Sequence, residues 1–175
     1  MKRNKTFLLI AAMIIQADCA FAQTWTQTGL PNKSWTSVAS SADGSKLAAA
    51  AYEGIYTSTN YGSSWLSNNV PSNPWLSVAS SADGIRLVAV ALSASQPIWV
   101  STNSGITWLP TSAPATNRLG KLNPWTGIAS SADGTKLVGV AGGNAPLKGA
   151  IFISADSGAN WTETDAPIDY WSSVS

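Results

Sequence analysis

Apolar and polar positions alternate in short runs along this chain of 175 residues, and turn-forming residues separate the runs. Residues 35–41 alternate between two faces, as a half-buried strand does, whereas residues 46–52 are apolar on both faces, like a strand between two layers. Ala-Asp-Gly at 42–44 is a hairpin turn signal between them. Residues 55–58 and 64–67 predict two further strands. The pattern therefore predicts a unit of four short antiparallel strands.

This unit recurs three times. The phrase Ala-Ser-Ser-Ala-Asp-Gly begins at Ala39, Ala79 and Ala129. A second phrase, Ser-x-Asp/Asn-x-Gly-x-x-Trp, is called the Ser-to-Trp motif below and spans 58–65, 101–108 and 154–161. Four strands per roughly 40 to 50 residues describe one blade of a β-propeller. Helices are disfavoured, because Gly, Ser, Thr and Asn crowd every segment and no apolar stripe of period 3.6 is present. The sequence predicts an all-β fold, a partial β-propeller of about three four-stranded antiparallel blades plus strands of an incomplete fourth.

The repeats also predict where the units begin and end. They lie at about 35–74, 75–124 and 125–170, and a further repeat starts at 171. Residues 24–31 match 160–167, the last strand of a unit, and residues 171–174 match the first strand. Because these units are too few to close a ring, we expect ring closure by missing sequence of a longer gene product or by self-association. The third alternative is an open arc, whose bare strand edges favour aggregation.

The N-terminus has the composition of a targeting segment. Three basic residues precede an apolar run at 7–15, and Ala-Phe-Ala at 20–22 supplies a cleavage site of small residues. This pattern predicts a signal peptide over residues 1–22 and a secreted or periplasmic product, residues 23–175. The apolar run is too short to span a bilayer as a helix, and no second run of membrane length follows.

Loss of this leader narrows the chemistry that is possible. Cys19 is the single cysteine and lies in the leader, and the chain contains no histidine. Disulfides, thiolate nucleophiles and imidazole ligands are therefore not expected in the mature chain. The leader carries three basic residues and one acidic residue, so its removal takes the net charge from +1 to −1. Without a basic stripe, nucleic acid is not an expected partner, and no cofactor is expected.

The Ser-to-Trp motif has a structural explanation in its own residues. The Asn or Asp side chain can hold its turn through a hydrogen bond to the backbone, the glycine takes a positive φ, and the tryptophan packs over the hairpin. The motif resembles the Asp-box, or BNR repeat, of sialidases and other secreted β-propellers, including photosystem-assembly factors. The resemblance implies a β-propeller in which these turns are structural and lie away from the active site. The residues concerned are Ser58, Asn60, Gly62 and Trp65, then Ser101, Asn103, Gly105 and Trp108, and finally Ser154, Asp156, Gly158 and Trp161.

Loop lengths vary at only one end of the predicted blades. The second turn of each unit and the crossover to the next unit change in length, whereas the two repeated turns do not. Because loops on a rigid scaffold carry function, this end is the candidate binding face. Its predicted residues are Trp35, Trp75, Trp125, Trp171, Tyr52, Glu53, Arg118, Lys121, Lys148, Asp165, Asp169 and Tyr170. The four tryptophans either stack on sugar rings or pack between blades.

An active site is weakly indicated. Sialidases, which the motif resembles, use an arginine triad, whereas this chain has two arginines after the leader. Arg86 takes the place of a lysine in the other units, which leaves Arg118 unique. No catalytic residue and no metal site are predicted. We therefore expect an exported, non-catalytic β-propeller binding or scaffold module for a carbohydrate or another protein. The alternatives are part of a glycoside hydrolase, sialidase-like or xyloglucanase-like, and a protein-docking or assembly-factor propeller.

Overall fold

Twelve strands form three separate sheets in the computed structural model, which describes residues 26–92, 97–142 and 148–175. Each sheet has four strands in simple sequence order and is antiparallel throughout. The predicted all-β fold with four-stranded blades is therefore confirmed. The predicted leader at 1–22, Trp25 of the N-terminal match, and residues 93–96 and 143–147 of two second turns lie outside the described residues.

Each predicted unit forms one blade. Blade 1 contains β1 (Trp35–Ser40), β2 (Leu47–Ala51), β3 (Gly54–Ser58) and β4 (Leu66–Ser67). Blade 2 contains β5 (Trp75–Ser80), β6 (Leu87–Ala91), β7 (Trp99–Ser101) and β8 (Leu109–Pro110). Blade 3 contains β9 (Trp125–Ser130), β10 (Leu137–Ala141), β11 (Ile151–Ser154) and β12 (Thr162–Glu163). The outermost strands are shorter than predicted, because the first residues of the predicted fourth strand belong to the preceding turn.

The turn between the first two strands of each blade is held by one serine and one aspartate. In blade 1, Ser41 Oγ donates to Asp43 Oδ1 at 2.6 Å and accepts from Lys46 N at 3.0 Å. Asp43 Oδ1 also accepts from Ser45 N at 3.0 Å, and Gly44 adopts a φ of 73°. Since glycine reaches this left-handed conformation without steric cost, the Asp-Gly pair fixes the hairpin and thereby the register of β1 on β2.

Alternate residues of the second strand face the two neighbouring blades. In β6, Leu87, Ala89 and Ala91 pack with blade 1, whereas Val88 and Val90 pack with blade 3. We call the side that points to the preceding blade the front face and the other side the back face. The period of two residues in a strand accounts for this division. Both faces of the middle blade are buried, which explains why its second strand is apolar throughout.

Aromatic pairs fill the front face of every blade. The first-strand tryptophan meets an aromatic ring of the third strand edge to face, with ring centroids 5.3 Å apart for Trp35 and Tyr56. The pair Trp75 and Trp99 in blade 2 lies at 6.3 Å, and the corresponding pair in blade 3 at 5.3 Å. Edge-to-face geometry places the positive ring edge on the negative ring face. These pairs support the contacts between blades.

The blades are also joined by hydrogen bonds that repeat from one blade to the next. Ala42 N donates to Ala82 O at 2.8 Å, and Ala82 N donates to Ala132 O at 2.7 Å. Thr36 Oγ1 donates to Trp75 O at 2.7 Å. The first turns and the inner strands therefore form a continuous line through the three blades. This line gives neighbouring blades a defined register.

Both ends of the described chain lie where parts of further blades belong. A Cβ atom added to Gly62 would lie 3.6 Å from Thr28 Cγ2. The corresponding atom on Gly158 would lie beside Thr111 Cγ2, so Thr28 occupies the same place relative to blade 1 as Thr111 does relative to blade 3. Residues 26–28 thus take the place of the outermost strand of a blade preceding blade 1. At the other end, Thr126 Oγ1 donates to Trp171 O at 2.8 Å, as Thr36 does between blades 1 and 2.

Candidate functional site

The connections that vary in length share one end of the structure, which we call the crossover end. Leu92 N, in the second turn of blade 2, donates to Pro74 O in a crossover at 2.7 Å. Gly142 N donates to Pro124 O at 2.9 Å in the same way in blade 3. The crossover end comprises 52–53, 68–74, 92, 97, 111–124, 142, 148 and 163–170. The repeated turns lie at the opposite end, the turn end, where Tyr61 N donates to Ser45 O.

Arg118 is tied to the neighbouring crossover rather than open to a ligand. Its Nη1 donates to Glu163 Oε1 at 2.6 Å, and its backbone N donates to Glu163 Oε2 at 2.6 Å. The remaining donors reach Thr164 O and Ala166 O, both at 3.1 Å. Bidentate contacts of this type fix geometry as well as charge. Arg118, which has no counterpart in the other units, therefore joins two crossovers, and its guanidinium is already occupied by a carboxylate.

Three further predicted charges of this end, Glu53, Lys148 and Asp169, also form pairs. Lys148 Nζ lies 3.2 Å from Asp169 Oδ1 and 5.1 Å from the centre of the Tyr170 ring. Lys33 Nζ lies 3.4 Å from Glu53 Oε2. Backbone donation from Tyr170 N, followed by the contact with Lys148, lowers the pKa of Asp169. These exposed pairs order the loops but contribute little to stability.

The predicted tryptophans differ in their access to a ligand. Trp75 and Trp125 are 0% and 1% exposed, which leaves their rings no surface on which a sugar could stack. Trp35 and Trp171 are partly exposed. The indole N–H of Trp75 donates to Pro71 O at 3.2 Å, and that of Trp171 donates to Pro167 O at 3.3 Å. Trp75 and Trp125 therefore pack between blades, and Trp75 and Trp171 hold crossovers through their indole groups.

Four predicted residues are placed at the surface of the crossover end. Tyr52 and Tyr170 are each 46% exposed, and Lys121 and Asp165 are exposed as well. The structure does not gather these residues into one pocket. Tyr52 belongs to blade 1 and Tyr170 to the end of blade 3, so they lie on opposite margins of the crossover end.

The loop at residues 116–122 is a feature that the sequence prediction missed. Thr116 and Leu122 form a backbone bridge, and Asn117 Oδ1 accepts from Leu119 N and Lys121 N at 3.0 and 3.2 Å. Asn117 is buried, whereas Leu119 and Leu122 are 61% and 56% exposed. An ordered hairpin thus presents two leucines to solvent. The Asn-x-x-Gly spacing at 117–120 was the signal that could have indicated this turn.

The Ser-to-Trp motif forms the turn end and has the same geometry in all three blades. In blade 1, Ser58 Oγ donates to Asn60 Oδ1 and accepts from Gly62 N, both at 2.9 Å. Asn60 Oδ1 accepts from Ser64 N at 2.9 Å, and the Trp65 indole donates to Gly62 O at 3.1 Å. The side chains of Ser58, Asn60 and Trp65 are therefore satisfied within their own turn. This arrangement gives the motif a structural role.

Positive φ angles in this motif extend beyond the glycine. Tyr61, Ser104 and Ser157, which precede the glycines, have φ between 56° and 60°. Such residues adopt this region only at a steric cost. The hydrogen bonds of the serine and the Asn or Asp side chain compensate for that cost. Nothing in these residue types indicates the conformation in advance.

The turn aspartates have lowered pKa values because hydroxyl and amide groups donate to them. Donation from Ser41 Oγ, followed by Ser45 N and Oγ, lowers the pKa of Asp43 to about 2. Ser131 and Thr135 lower the pKa of Asp133 to about 2 in the same way. Asparagine at 160 and Ser154 lower the pKa of Asp156. Carboxylates held in this manner stay ionised and are unsuited to act as general acids near neutral pH.

The residues that the structure describes contain neither a metal-binding cluster nor a membrane-spanning helix. Within 26–92, 97–142 and 148–175, no group of three or more acidic side chains is arranged to hold a metal ion. The same ranges contain no helix with the length and apolarity needed to cross a bilayer.

A large concave surface lies beside blade 1 rather than at the crossover end. This groove has a volume of about 830 Å³ and lies between residues 27–32 and the front face of blade 1. Trp35, Val38, Leu47 and Trp65 line it together with small residues of β2. Its lining carries no titratable side chain. The groove is therefore an apolar contact surface without catalytic groups.

Comparisons with known proteins support the fold. No protein-family model and no curated protein match the chain. Among solved structures, the chain is similar to YCF48 bound to a D1 peptide, with a TM-score of 0.57 and 15% identity over 75% of this chain and 40% of that one. It is similar to the GH74 enzyme of Niastella koreensis, with a TM-score of 0.59 and 18% identity over 82% of this chain and 20% of that one.

A third similar structure is the nidogen/laminin complex, with a TM-score of 0.55 and 13% identity over 75% of this chain and 48% of that one. The chain therefore spans less than half the length of each of these three proteins. At these identities the likeness concerns the fold, and the described residues form three blades of a partial β-propeller.

Proposed function

We propose that this chain is an exported, non-catalytic β-propeller module whose crossover end docks a protein partner. The observation that carries the proposal is the ordered loop at 116–122, which presents Leu119 and Leu122 to solvent. Apolar side chains that are exposed together mark protein contact sites, whereas apolar residues scattered singly over a surface do not.

Preorganisation of this loop supports the proposal. Asn117 holds its backbone from within, and Arg118 fastens it to Glu163 of the next crossover. Because the loop is already ordered, a partner does not have to bear the entropic cost of ordering it on binding. The two leucines would supply apolar contact, and exposed Lys121 beside them would supply a polar rim.

The similar structures agree with a binding role without establishing it. The YCF48 structure contains a D1 peptide, and nidogen is in complex with laminin, so propellers of this kind are seen with protein partners. We further propose that the Ser-to-Trp motif is an Asp-box, on the ground that its serine, Asn or Asp, glycine and tryptophan act together as one turn. Export rests on the leader predicted at residues 1–22.

The enzymatic alternative is less well supported. Arg118 and Glu163 neutralise each other, and Glu53 and Asp169 are paired with lysines. A glycoside hydrolase needs one carboxylate poised as an acid and a second as a base or nucleophile across the substrate. Carbohydrate binding without catalysis is a further alternative, and the experiment below distinguishes it from protein docking. It is less well supported, because buried Trp75 and Trp125 offer no surface on which a sugar could stack.

Site-specific photo-crosslinking in the producing cells tests the proposal. A photoreactive residue would replace Tyr170 at the crossover end or, as a matched control, Tyr61 at the turn end, which is 70% exposed. We expect a discrete protein adduct from position 170 and none from position 61. Leu119→Asp with Leu122→Asp should remove that adduct without changing the melting temperature, because both leucines are exposed.

Four outcomes would contradict the proposal. Equal adducts from both positions, or an adduct that persists in the double leucine variant, would show that the crossover end is not the docking surface. Retention of the chain on a glycan array would favour the carbohydrate alternative. Release of reducing sugar from xyloglucan by the purified chain would contradict the non-catalytic part.

A further inference from the structure

We infer that one water molecule lies beneath the loop at 116–122 and bridges the side chains of Asn117 and Asn123. The observation behind this inference is a hydrogen-bond donor and an acceptor that are buried close together without a partner. The inference concerns the interior of the loop and holds whether or not a protein docks on its outer side.

The backbone of this loop fixes which side chains share a face. Thr116 and Leu122 form the bridge, and the backbone N–H groups of Asn117 and Asn123 donate across it on either side, both at 2.9 Å. Because successive side chains of a strand point to opposite faces, Asn117 and Asn123 share the face opposite Leu122. Leu122 is 56% exposed, whereas the two asparagines are 4% and 0% exposed. The loop therefore has an outer face in solvent and a polar inner face that is buried.

Each of these asparagines uses only part of its amide group within the loop. Asn117 Oδ1 accepts from Leu119 N and Lys121 N. Asn123 Nδ2 donates to Pro114 O at 2.9 Å. The other polar atoms of the two amides, Asn117 Nδ2 and Asn123 Oδ1, are buried and have no partner among the described residues. Since an unpaired buried group loses its hydration without compensation, such groups in folded proteins are satisfied by other polar atoms or by ordered water.

The spacing and the chemistry of the two atoms select water. Asn117 bonds to Lys121, two residues before Asn123, so the two asparagines are diagonal neighbours on their face. Such neighbours lie about 7–8 Å apart, which leaves room for one small molecule between two amide side chains. That molecule has to accept from Asn117 Nδ2 and donate to Asn123 Oδ1. A metal cation cannot accept, and an anion without hydrogen cannot donate, whereas water does both.

The crossovers differ in this respect from the repeated turns. Five buried side-chain atoms lack a partner in the ranges that the structure describes, and four of them belong to asparagines of 68–74 and 111–124. In the Ser-to-Trp motif of blade 2, by contrast, Asn103 Oδ1 accepts from Thr107 N, and Asn103 Nδ2 donates to Thr107 Oγ1 at 2.8 Å. The unpaired amide atoms are therefore a property of the crossovers and not of asparagine itself.

NMR spectroscopy of the purified chain with selective excitation of water tests the inference. The side-chain amide protons of Asn117 should show a nuclear Overhauser effect from water with the sign of a long-lived bound molecule. Those of Asn103, which are bonded within their turn, should not. A crystal structure of the same chain should show one ordered water within hydrogen-bond distance of Asn117 Nδ2 and Asn123 Oδ1. A direct hydrogen bond between these two amides, or equal water signals at Asn117 and Asn103, would overturn the inference.

An aspartate at position 117 gives a second readout. Asn117→Asp keeps the oxygen that accepts from the loop backbone but lacks the Nδ2 donor, so the water signal at the Asn123 side chain should be lost and the urea midpoint should decrease. Asn103→Asp is the matched control, because blade 3 carries Asp156 at that place, and it should keep the wild-type midpoint. A water signal at Asn123 that persists in Asn117→Asp would contradict the bridge. No partner enters these measurements, so a failure of the proposed docking leaves them unchanged.

Discussion

The turn end and the crossover end of the same three blades are stabilised in different ways. At the turn end, each blade repeats the same short hydrogen bonds within a few residues of sequence, as from Gly62 N to Ser58 Oγ. At the crossover end, single contacts join distant residues, as Arg118 joins Glu163 across 45 positions. The comparison indicates that the repeated turns maintain single blades, whereas contacts at the crossover end join one crossover to the next.

The sharpest test of this difference is alanine at a glycine of each end. Gly105 has a φ of 87° and an added Cβ would lie 2.7 Å from Thr57 Cγ2, whereas Gly120 has a φ of 69° and nothing within 4 Å. Gly105→Ala should lower the free energy of unfolding by about 2–4 kcal/mol, from conformational strain and overpacking together. Gly120→Ala should cost only about 1 kcal/mol. Equal losses in urea denaturation would remove the distinction.

A buried and an exposed serine give the next largest difference. Ser101 is buried, and its Oγ donates to Asn103 Oδ1 at 3.0 Å and accepts from Gly105 N at 2.9 Å. Ser101→Ala should lower the free energy of unfolding by about 1–3 kcal/mol, because buried partners lose their hydrogen bonds. Ser112, in the crossover between blades 2 and 3, is exposed and makes one bond, to Ala159 O of the blade 3 motif. Ser112→Ala should cost less than about 1 kcal/mol by the same measurement, and a larger loss there than at Ser101 would count against our interpretation.

Acid should remove the contribution that the aspartates of the first turns make to stability. Asp43 and Asp133 have pKa values lowered from 3.8 to about 2, and that of Asp83 is lowered as well. Carboxylates with a lowered folded-state pKa stabilise the fold fully above their ordinary pKa, and this contribution is lost as the pH falls through the folded-state value. The urea midpoint should therefore decrease between about pH 4 and about pH 2.

Replacing all three aspartates of the first turns by asparagine separates their protonation from other effects of acid on stability. The variant Asp43→Asn, Asp83→Asn, Asp133→Asn should show a flatter dependence of the urea midpoint on pH than the wild type. Asp165→Asn, at an exposed position of the crossover end, is the control and should keep the wild-type slope. Identical slopes for the wild type and the triple variant would exclude the turn aspartates as the cause.

The smallest stability effect is expected at the ion pair of the crossover end. Arg118 is 43% exposed at its side chain, so Arg118→Ala should change the free energy of unfolding by no more than about 1 kcal/mol. The same variant should reduce the crosslinked adduct at position 170, because the loop carrying Leu119 loses its attachment to Glu163. A variant that loses stability but keeps the adduct would reverse the assignment of the two ends.

The fold was predictable because its signals are local and repeated. Asp-Gly pairs and tryptophans at constant spacing indicate the turns and the first strands, and each of the three copies gives the same evidence independently. Arg118 could be recognised as unusual, but its partner Glu163 is distant in sequence, and only the tertiary structure brings the two together. The left-handed conformation of Tyr61 was not predictable either, because the whole turn imposes it on a residue type that does not prefer it.

The line of hydrogen bonds from Ala42 through Ala82 to Ala132 has a consequence for how such a gene can change. Each blade contributes one amide proton and one carbonyl oxygen, so inserting or deleting a whole unit leaves every internal partner matched. Duplication within the coding sequence would then add blades to the row, and every backbone N–H and C=O of this line between neighbouring blades would still have a hydrogen-bond partner. Growth by recombination is thus compatible with this architecture at every junction.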